Sequence, residues 1–323
     1  MPFDLKRRDF VTLIGAAAAW PLAARAQQPA DVAAELKRRG LDPRITPARP
    51  DLAAKKLAGV VEVPRFVEGA GYEIAAAQTA VRKTPASEAE LQTEALKGEQ
   101  VTIYDRGQDG WAWGQLADDG YVGYIAASAL GSPGPAATHR VTALRTFVFP
   151  GPSIKLPPTE TLSLGCRLAI AQTDGDFAVT AAGGHVPLVH LAPVATTESD
   201  FVAVAELFMG TPYLWGGKSS LGIDCSGLVQ VALAACGIAC PRDTDMQERA
   251  LGSALALPYD LAQARRGDLI FWKGHVAIVR DAATLVHANA HQMAVGLEPA
   301  AAAIARIRAQ ESSEITSVRR LPA

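Results

Sequence analysis

The chain has 323 residues, of which 49% are hydrophobic and 20% charged, with a formal net charge of −2 at pH 7. This length exceeds one ordinary domain core and indicates two or three domains. The balanced charge, without a block of like charges, argues against nucleic acid as a partner. Four cysteines are too few for a disulfide scaffold.

Residues 1–30 have the pattern of an export signal. The twin arginines Arg7 and Arg8 precede a short apolar run over 11–22, and an A-x-A cleavage pattern follows at 24–26. The run is short for a transmembrane helix, and the twin arginines indicate Tat export. We expect a periplasmic or otherwise exported protein without an integral membrane segment in the mature chain. If the N-terminus is misassigned, the expected location is the cytoplasm.

Residues 31–71 are predicted to be a lead-in segment that wraps the next domain. A short charged helical pattern covers 31–39. Pro43, Pro47 and Pro50 then punctuate the chain, which excludes one long element.

Residues 72–194 contain a degenerate internal repeat. Short alternating runs separated by Gly, Asp and Pro predict small antiparallel barrels. Through its W-x-W-G-Q-L and D-G-Y-V-G-Y strings the first copy resembles a bacterial SH3-like domain, and the second copy resembles one more weakly. We therefore expect two SH3-like domains, at 72–131 and 138–194, joined by a Gly- and Pro-rich linker at 131–137.

The region 198–323 is predicted to be a third domain, organised around a cysteine. Asp224 precedes an apolar run of helical spacing, which is an N-cap signal, so Cys225 lies in the first turn of a helix that ends near Gly237. Unpaired N–H groups and the helix dipole there favour an anion, a setting in which a thiol loses its proton and becomes a nucleophile. A buried structural cysteine is the alternative.

An earlier helix of this domain is expected to open at Ser199 or Asp200. After the cysteine helix, three apolar runs at 268–272, 275–279 and 284–288 predict antiparallel strands. A cysteine helix packed on such a sheet is an α+β arrangement.

Two histidines lie on neighbouring predicted strands. A hairpin centred on Asp281 places His275 opposite His287, with both side chains on one face and about 5 Å apart. A nucleophile needs such a base within reach and a third group that fixes the tautomer of the base. The alternatives are hydrogen-bonded core histidines and a zinc site, although no C-x-x-C or H-x-x-x-H spacing supports zinc.

Six strings together resemble the NlpC-type papain-like cysteine peptidases of bacteria, in the order of that family and over 198 to about 310. They are Y-L-W-G-G, D-C-S-G, P-R-D-T-D-M-Q, G-D-L-I-F-W, G-H-V-A-I-V and L-V-H-A-N. With SH3-like domains in front, the chain resembles the γ-D-glutamyl-L-diamino-acid endopeptidases (dipeptidyl-peptidase VI), which cut murein peptides between D-glutamate and the diamino acid. The implied fold is two small all-β barrels followed by an α+β papain-like catalytic domain.

The resemblance also implies catalytic roles. Cys225 would be the nucleophile, and its backbone N–H would help form the oxyanion hole. His275 would be the general base and then the acid that protonates the leaving amine. His287 would orient His275, where other papain-like enzymes use Asn or Asp. No metal or organic cofactor is implied.

Five further residues are implied to bind substrate. Asp243, followed by Thr244 where a serine is common, would recognise the free amine of an N-terminal L-alanine. A carboxylate beside an ammonium gives a charge-assisted contact, so an acylated amine would bind poorly. Tyr121 would close that end of the groove, with a plain barrel-strand tyrosine as the alternative. Tyr213 would line the site, and Ser226 would contact the D-glutamyl carboxylate.

The expected partner is a murein peptide or peptidoglycan, and the expected state is a monomer. One rival is a general peptidoglycan hydrolase that acts on intact wall through SH3-like anchors. Another is a wall-binding module without catalysis; alkylation of Cys225 well below pH 8 would argue against it. Cys236 and Cys240 are expected to be ordinary buried thiols.

Overall fold

The structure, a computed structural model, describes residues 31–322, so the export signal predicted over 1–30 lies outside the described residues. Within this range short strands predominate over helices. None of the helices in this range is long and apolar enough to cross a bilayer.

The segment 31–71 contains one helix and a small sheet. Helix α1 (Val32–Arg38) begins after Asp31, whose side chain accepts the backbone N–H of Ala34 at 3.0 Å. Leu36 of this helix is fully buried in a small apolar cluster, to which Tyr104 of the following barrel contributes. The segment therefore packs against the next unit, residues 70–131, called the barrel from here on. Its strands are β1 (Ala48–Arg49), β2 (Leu52–Ala54) and β3 (Arg65–Val67), and a 3₁₀ turn covers Lys55–Leu57.

Seven strands form one antiparallel sheet, in the order β10-β4-β7-β8-β9-β5-β6. Gly114 allows its central strands to approach, because a Cβ there would lie 2.6 Å from the Thr102 carbonyl oxygen. The core of the sheet includes Ile74, Val81 and Ile125, all fully buried. The strands are β4 (Ala70–Ile74), β5 (Gln78–Arg82), β6 (Leu91–Leu96), β7 (Gln100–Arg106), β8 (Trp111–Leu116), β9 (Val122–Ala126) and β10 (Leu130–Gly131), with a 3₁₀ turn at Ala127–Ala129.

The next unit is built from three small sheets, in the orders β14-β11-β18, β12-β13 and β15-β16-β17. Its core includes Val141, Leu162, Cys166 and Val186, all fully buried. The strands are β11 (His139–Val141), β12 (Arg145–Val148), β13 (Glu160–Ser163), β14 (Arg167–Leu168), β15 (Ile170–Asp174), β16 (Phe177–Thr180), β17 (His185–Pro187) and β18 (Leu191–Pro193), with a 3₁₀ turn at Leu188–His190.

The last unit combines four helices with a six-stranded sheet, in the order β21-β26-β22-β23-β24-β25. Asp200, and not Ser199, caps its first helix by accepting the N–H of Val202 at 2.9 Å. The elements are α2 (Phe201–Leu207), β19 (Lys218–Ser219), β20 (Gly222–Ile223), α3 (Cys225–Ala235), α4 (Thr244–Ala250), β21 (Ser253–Ala254), a 3₁₀ turn (Leu261–Gln263), β22 (Leu269–Trp272), β23 (His275–Asp281), β24 (Thr284–Asn289), β25 (Ala294–Pro299), α5 (Ala300–Glu311) and β26 (Ser317–Arg320).

Helices cover both faces of the six-stranded sheet. On β22, Leu269 and Phe271 pack in one cluster with helix α3, whereas Ile270 and Trp272 pack in another cluster with helix α5. Trp272 pairs directly with His275 on β23, so His275 lies on the α5 face. This alternation explains the continuous apolar run of β22, because both sets of side chains are buried.

The register of the histidine hairpin differs from the prediction. Ile278 lies opposite Val286, because the turn falls further along the chain than predicted and Arg280 forms a bulge. His287 therefore opposes the residue two positions after His275. Since side chains alternate with a period of two, a slip of two leaves both histidines on one face, and they meet diagonally.

Candidate active site

The N-terminus of helix α3 is fixed by Asp224. One carboxylate oxygen of Asp224 accepts the backbone N–H of Gly227 at 2.7 Å, and the other accepts the N–H of Gly216 at 2.8 Å. The cap that the sequence predicts is therefore present, and it also binds the preceding glycine loop. Cys225 is the first residue of the helix and only 6% exposed.

A buried arginine, which sequence reasoning missed, braces the Asp224 cap. The guanidinium of Arg242 makes two hydrogen bonds to the Asp224 carboxylate, at 2.9 and 2.8 Å. It also donates to the Ser226 hydroxyl at 2.9 Å and to the hydroxyl of Thr93 on the barrel at 2.8 Å. The barrel is thereby joined to the turn that carries Cys225. Arg242 is the arginine of P-R-D-T-D-M-Q. Only the following residue, Asp243, was assigned a function from the sequence.

The surroundings of the thiol favour its neutral form. The Cys225 sulfur lies 3.8 Å from the Thr244 hydroxyl oxygen. Burial, together with the neighbouring Asp224 carboxylate, raises the pKa of the Cys225 thiol to about 11. The position of Cys225 at a helix N-terminus predicted a lowered pKa, which was wrong. Burial of the thiol and the charge of the capping Asp224 carboxylate both act in the opposite direction.

The two histidines and a glutamate form a hydrogen-bonded chain. His275 Nε2 lies 3.0 Å from His287 Nδ1, and His287 Nε2 lies 3.1 Å from a carboxylate oxygen of Glu298 on β25. His287 is 1% exposed. Arg306 on helix α5 donates to both oxygens of Glu298, at 2.9 and 2.8 Å, and holds the pKa of Glu298 below its ordinary value.

This chain assigns the tautomers. Burial lowers the pKa of His275 to about 3 and that of His287 to about 4, so both rings are neutral and each carries one N–H. The Glu298 carboxylate can only accept, so His287 donates to it through Nε2–H. His287 Nδ1 then accepts from His275 Nε2–H, and His275 Nδ1 keeps a free lone pair. A base at that atom suits proton abstraction from a thiol.

Neither Glu298 nor Arg306 was predicted from sequence. Glu298 faces Leu285 across the β24–β25 pair, which places both residues on the α5 face together with the histidines. The apolar runs that predicted three strands did not extend to β25. Recognition of that fourth strand, opposite the strand of His287, would have identified Glu298.

A groove runs over the thiol and collects most of the predicted residues. Six of the eight predicted site residues line it: Tyr121, Tyr213, Cys225, Ser226, Asp243 and Thr244. His275 begins β23 and His287 lies on β24, and neither is among the residues that line this groove. Arg44, Glu90, Gln92 and Trp215, which the sequence analysis did not select, line the same groove, and Trp215 is 62% exposed.

At one end of this groove Asp243 meets the barrel. One Asp243 oxygen, Oδ2, accepts from the Tyr121 hydroxyl at 3.1 Å and from the Arg44 guanidinium at 2.7 Å. The hydroxyl of Ser226 instead belongs to the Arg242 network, since it also donates to the Asp224 carboxylate at 3.3 Å.

The barrel is attached to the last unit by a buried ion pair as well. Lys218 Nζ lies 2.9 Å from the Glu99 carboxylate, and each side chain is less than 8% exposed. The backbone N–H of Lys218 donates to Glu94 at 2.9 Å. These contacts hold the barrel against β19 of the last unit. Cys236 and Cys240 are free thiols and are half-buried.

Two family models match this chain. Residues 81–130 match the bacterial dipeptidyl-peptidase SH3 domain, and residues 210–310 match the NlpC/P60 family. Dipeptidyl-peptidase 6 of Lysinibacillus sphaericus is 39% identical over 88 residues, which are 27% of this chain and 31% of that protein. The γ-D-glutamyl-L-lysine dipeptidyl-peptidase of Bacillus subtilis is 36% identical over 108 residues, 32% of this chain and 35% of the relative. The matched part spans about a third of the length of these relatives.

A solved structure supports the same relationship at the level of fold. An NlpC/P60 family protein from Bacillus cereus has a TM-score of 0.64 to this chain and 21% sequence identity, and the match covers 78% of this chain and 100% of the other. The chain therefore carries an NlpC/P60 domain preceded by a bacterial SH3 domain.

Proposed function

We propose that this protein is a cysteine endopeptidase that hydrolyses the γ-D-glutamyl–diamino acid bond of murein peptides whose N-terminal L-alanine amine is free. The observation that carries the proposal is that one groove is lined by both Cys225 and Asp243. Relatives named γ-D-glutamyl-L-lysine dipeptidyl-peptidase support the choice of bond.

The mechanism follows from the assigned tautomers. His275 Nδ1 takes the proton of the Cys225 thiol as the sulfur attacks the γ-carbonyl carbon, and the negative charge moves to the carbonyl oxygen. The backbone N–H of Cys225 donates to that oxyanion, and Tyr213 lines the site beside it. When the tetrahedral intermediate collapses, the C–N bond breaks and His275 gives its proton to the leaving amine. A thioester remains on Cys225.

Water completes the reaction. His275 Nδ1, again unprotonated, takes a proton from water as its oxygen attacks the thioester, and collapse releases L-Ala-D-Glu and restores the thiol. The resting Cys225 thiol and His275 imidazole are both neutral. One proton transfer between them therefore produces the thiolate and the imidazolium at the same time. His287 accepts from His275 Nε2–H throughout, and Glu298 balances the positive charge that develops on the two rings.

Substrate selection is assigned to the end of the groove. Asp243 would bind the ammonium group of L-alanine through a charge-assisted contact, and Tyr121 would close the groove beyond it. Ser226 would contribute to the D-glutamyl subsite mainly by fixing the helix start, because its hydroxyl is engaged by Arg242. Thr244 packs against the thiol.

The organisation of the rest of the chain belongs to the same proposal. Residues 138–194 would be a second, degenerate SH3-like domain, in keeping with their short strands and separate small core. Residues 1–30 would direct export, so the enzyme would meet murein peptides outside the cytoplasm. Fractionation of cells that express the full chain, with a variant in which Arg7 and Arg8 are replaced by lysine, tests this assignment.

The experiment for the activity is mass spectrometry of purified protein incubated with L-Ala-γ-D-Glu-meso-diaminopimelate and with the N-acetylated peptide. We expect L-Ala-D-Glu from the free-amine peptide alone. Cleavage of both peptides would favour a general wall hydrolase with an open groove. Cleavage of neither peptide would contradict the proposed activity.

A further inference from the structure

Arg44, from the lead-in segment 31–71, reaches the end of the groove. Its backbone is fixed on the barrel: the Arg44 carbonyl accepts the N–H of Val122 at 2.8 Å, and the Ile45 carbonyl accepts from the Gln115 side chain at 2.8 Å. The first of these contacts is made by the residue directly after Tyr121 in the chain. The position of the Arg44 side chain is therefore set by the same strand region that supplies the wall of the groove.

The Arg44 guanidinium contacts three carboxylates. It donates to Asp243 at 2.7 Å, to both oxygens of Asp245 at 2.8 Å, and to both oxygens of Asp42 at 3.0 and 2.7 Å. The side chain of Arg44 is 31% exposed and that of Asp243 is 24% exposed, so this cluster is partly screened from water. One guanidinium fixes one carboxylate from the lead-in segment and two from the region after the cysteine helix.

The contacts leave one Asp243 oxygen available. Arg44 and Tyr121 both donate to Oδ2, and among the described residues Oδ1 accepts no hydrogen bond. An ammonium group at Oδ1 would complete the coordination of the carboxylate. Arg249 also pairs with Asp245 at 2.9 Å, so three carboxylates against two guanidinium groups leave the cluster negatively charged, and Arg44 does not cancel the attraction for a cation.

We propose that Arg44 is a specificity-determining residue that orients Asp243 and keeps it ionised for recognition of the substrate's free amine. The proposal rests on the proposed function, since it concerns the amine subsite of that reaction. It assigns the lead-in segment a role at the active site, in addition to its packing on the barrel.

The charges around Asp243 support this role. Burial raises the pKa of Asp243, while Arg242, Arg44 and the Tyr121 hydroxyl act in the opposite direction. The other charged groups nearby are the carboxylates of Asp42, Asp245 and Glu90, and the Arg249 guanidinium, which pairs with Asp245 at 2.9 Å. Without Arg44 the pKa of Asp243 would rise further, because only Arg242 and the Tyr121 hydroxyl would then act against its burial. Protonated Asp243 would not bind an ammonium group through an ion pair.

The test is steady-state kinetics of the Arg44→Ala and Arg44→Lys variants on the free-amine peptide between pH 5 and pH 8. For Arg44→Ala we expect kcat/KM to fall by about tenfold or more at pH 6, mainly through KM, as for the loss of one charge-assisted contact. The acidic limb of the pH profile should move to higher pH. Arg44→Lys should recover part of the loss, because a lysine keeps the positive charge but lacks the planar set of donors with which the guanidinium contacts several carboxylates.

Arg49→Ala is the matched control. Arg49 also belongs to the lead-in segment and packs over the Trp113 ring of the barrel at 5.0 Å, with an ion pair to Asp105. It does not line the groove. We expect its KM and pH profile to stay at wild-type values, and thermal unfolding of all variants shows that each is folded.

Three results would overturn the proposal. They are an unchanged KM in Arg44→Ala, a lower KM in Arg44→Ala, and a loss of kcat/KM in Arg49→Ala as large as that in Arg44→Ala. A lower KM would mean that Arg44 competes with the amine for Asp243. The absence of turnover in the wild-type protein would instead contradict the proposed function itself. The two failures are therefore distinguishable.

Discussion

Replacement of Glu298 by glutamine tests whether this carboxylate sets the tautomer of the histidine pair. The substitution keeps the shape of the side chain but replaces one accepting oxygen by an NH2 donor. Arg306 donates to both oxygens of Glu298, and His287 Nε2 lies 3.1 Å from one of them. A glutamine cannot accept at both positions, so one donor must face another.

The size of the effect follows from this geometry. If the amide NH2 faces His287, it donates to Nε2 and moves the His287 proton to Nδ1. His287 then donates to His275 Nε2, which places the His275 proton on Nδ1, the atom that must act as base. General-base catalysis contributes about 10²- to 10⁴-fold, and kcat should fall within that range. KM should change little, since Glu298 is absent from the groove lining.

Stopped assays of kcat and KM, with thermal unfolding alongside, measure this effect. Glu311→Gln is the matched control: Glu311 is 52% exposed and lies 3.7 Å from the same Arg306, so the same chemical change there should leave kcat unaltered. A folded Glu298→Gln variant with wild-type kcat would refute the tautomer assignment. A loss of kcat/KM that comes only from a higher KM, with kcat unchanged, would refute it as well.

Three further predictions concern the thiol, the helix cap and the imidazole. Cys225→Ala should remove turnover and keep the unfolding temperature close to wild type; residual turnover at the wild-type rate would contradict a role as nucleophile. Arg242→Met should lower the free energy of unfolding by about 3–5 kcal/mol, because it leaves the buried Asp224 carboxylate unpaired, and urea denaturation measures this loss; a change below about 1 kcal/mol would show that the pair is not important for stability. In Cys225→Ala, ¹⁵N NMR should show no protonation of His275 between pH 8 and pH 5, since burial lowers its pKa to about 3; a midpoint near the ordinary histidine value would contradict the neutral pair.

Local signals in the sequence predicted the helix start and the three strands well. An Asp before an apolar run has one common structural meaning, and the structure places Asp224 at the cap of the helix that begins with Cys225. The alternating run of β8 and the continuous apolar run of β22 likewise formed strands. Such features depend on neighbours within a few residues, which a single sequence displays directly.

Features that depend on distant contacts were missed or wrong in detail. Arg44 and Asp243 are 199 positions apart, and no pattern in the sequence joins them. The hairpin register depended on a bulge at Arg280, which has no strong sequence signature. The direction of the Cys225 pKa depended on burial beneath the groove, a property of the packed domains.

Intact-mass spectrometry of the enzyme, acid-quenched during turnover of L-Ala-γ-D-Glu-meso-diaminopimelate, tests whether Cys225 forms the acyl-enzyme. We expect an adduct with the mass of L-Ala-D-Glu less one water, located on the proteolytic fragment that contains Cys225 and missing in Cys225→Ala. An adduct on another residue, or product formation by Cys225→Ala at the wild-type rate, would contradict this expectation.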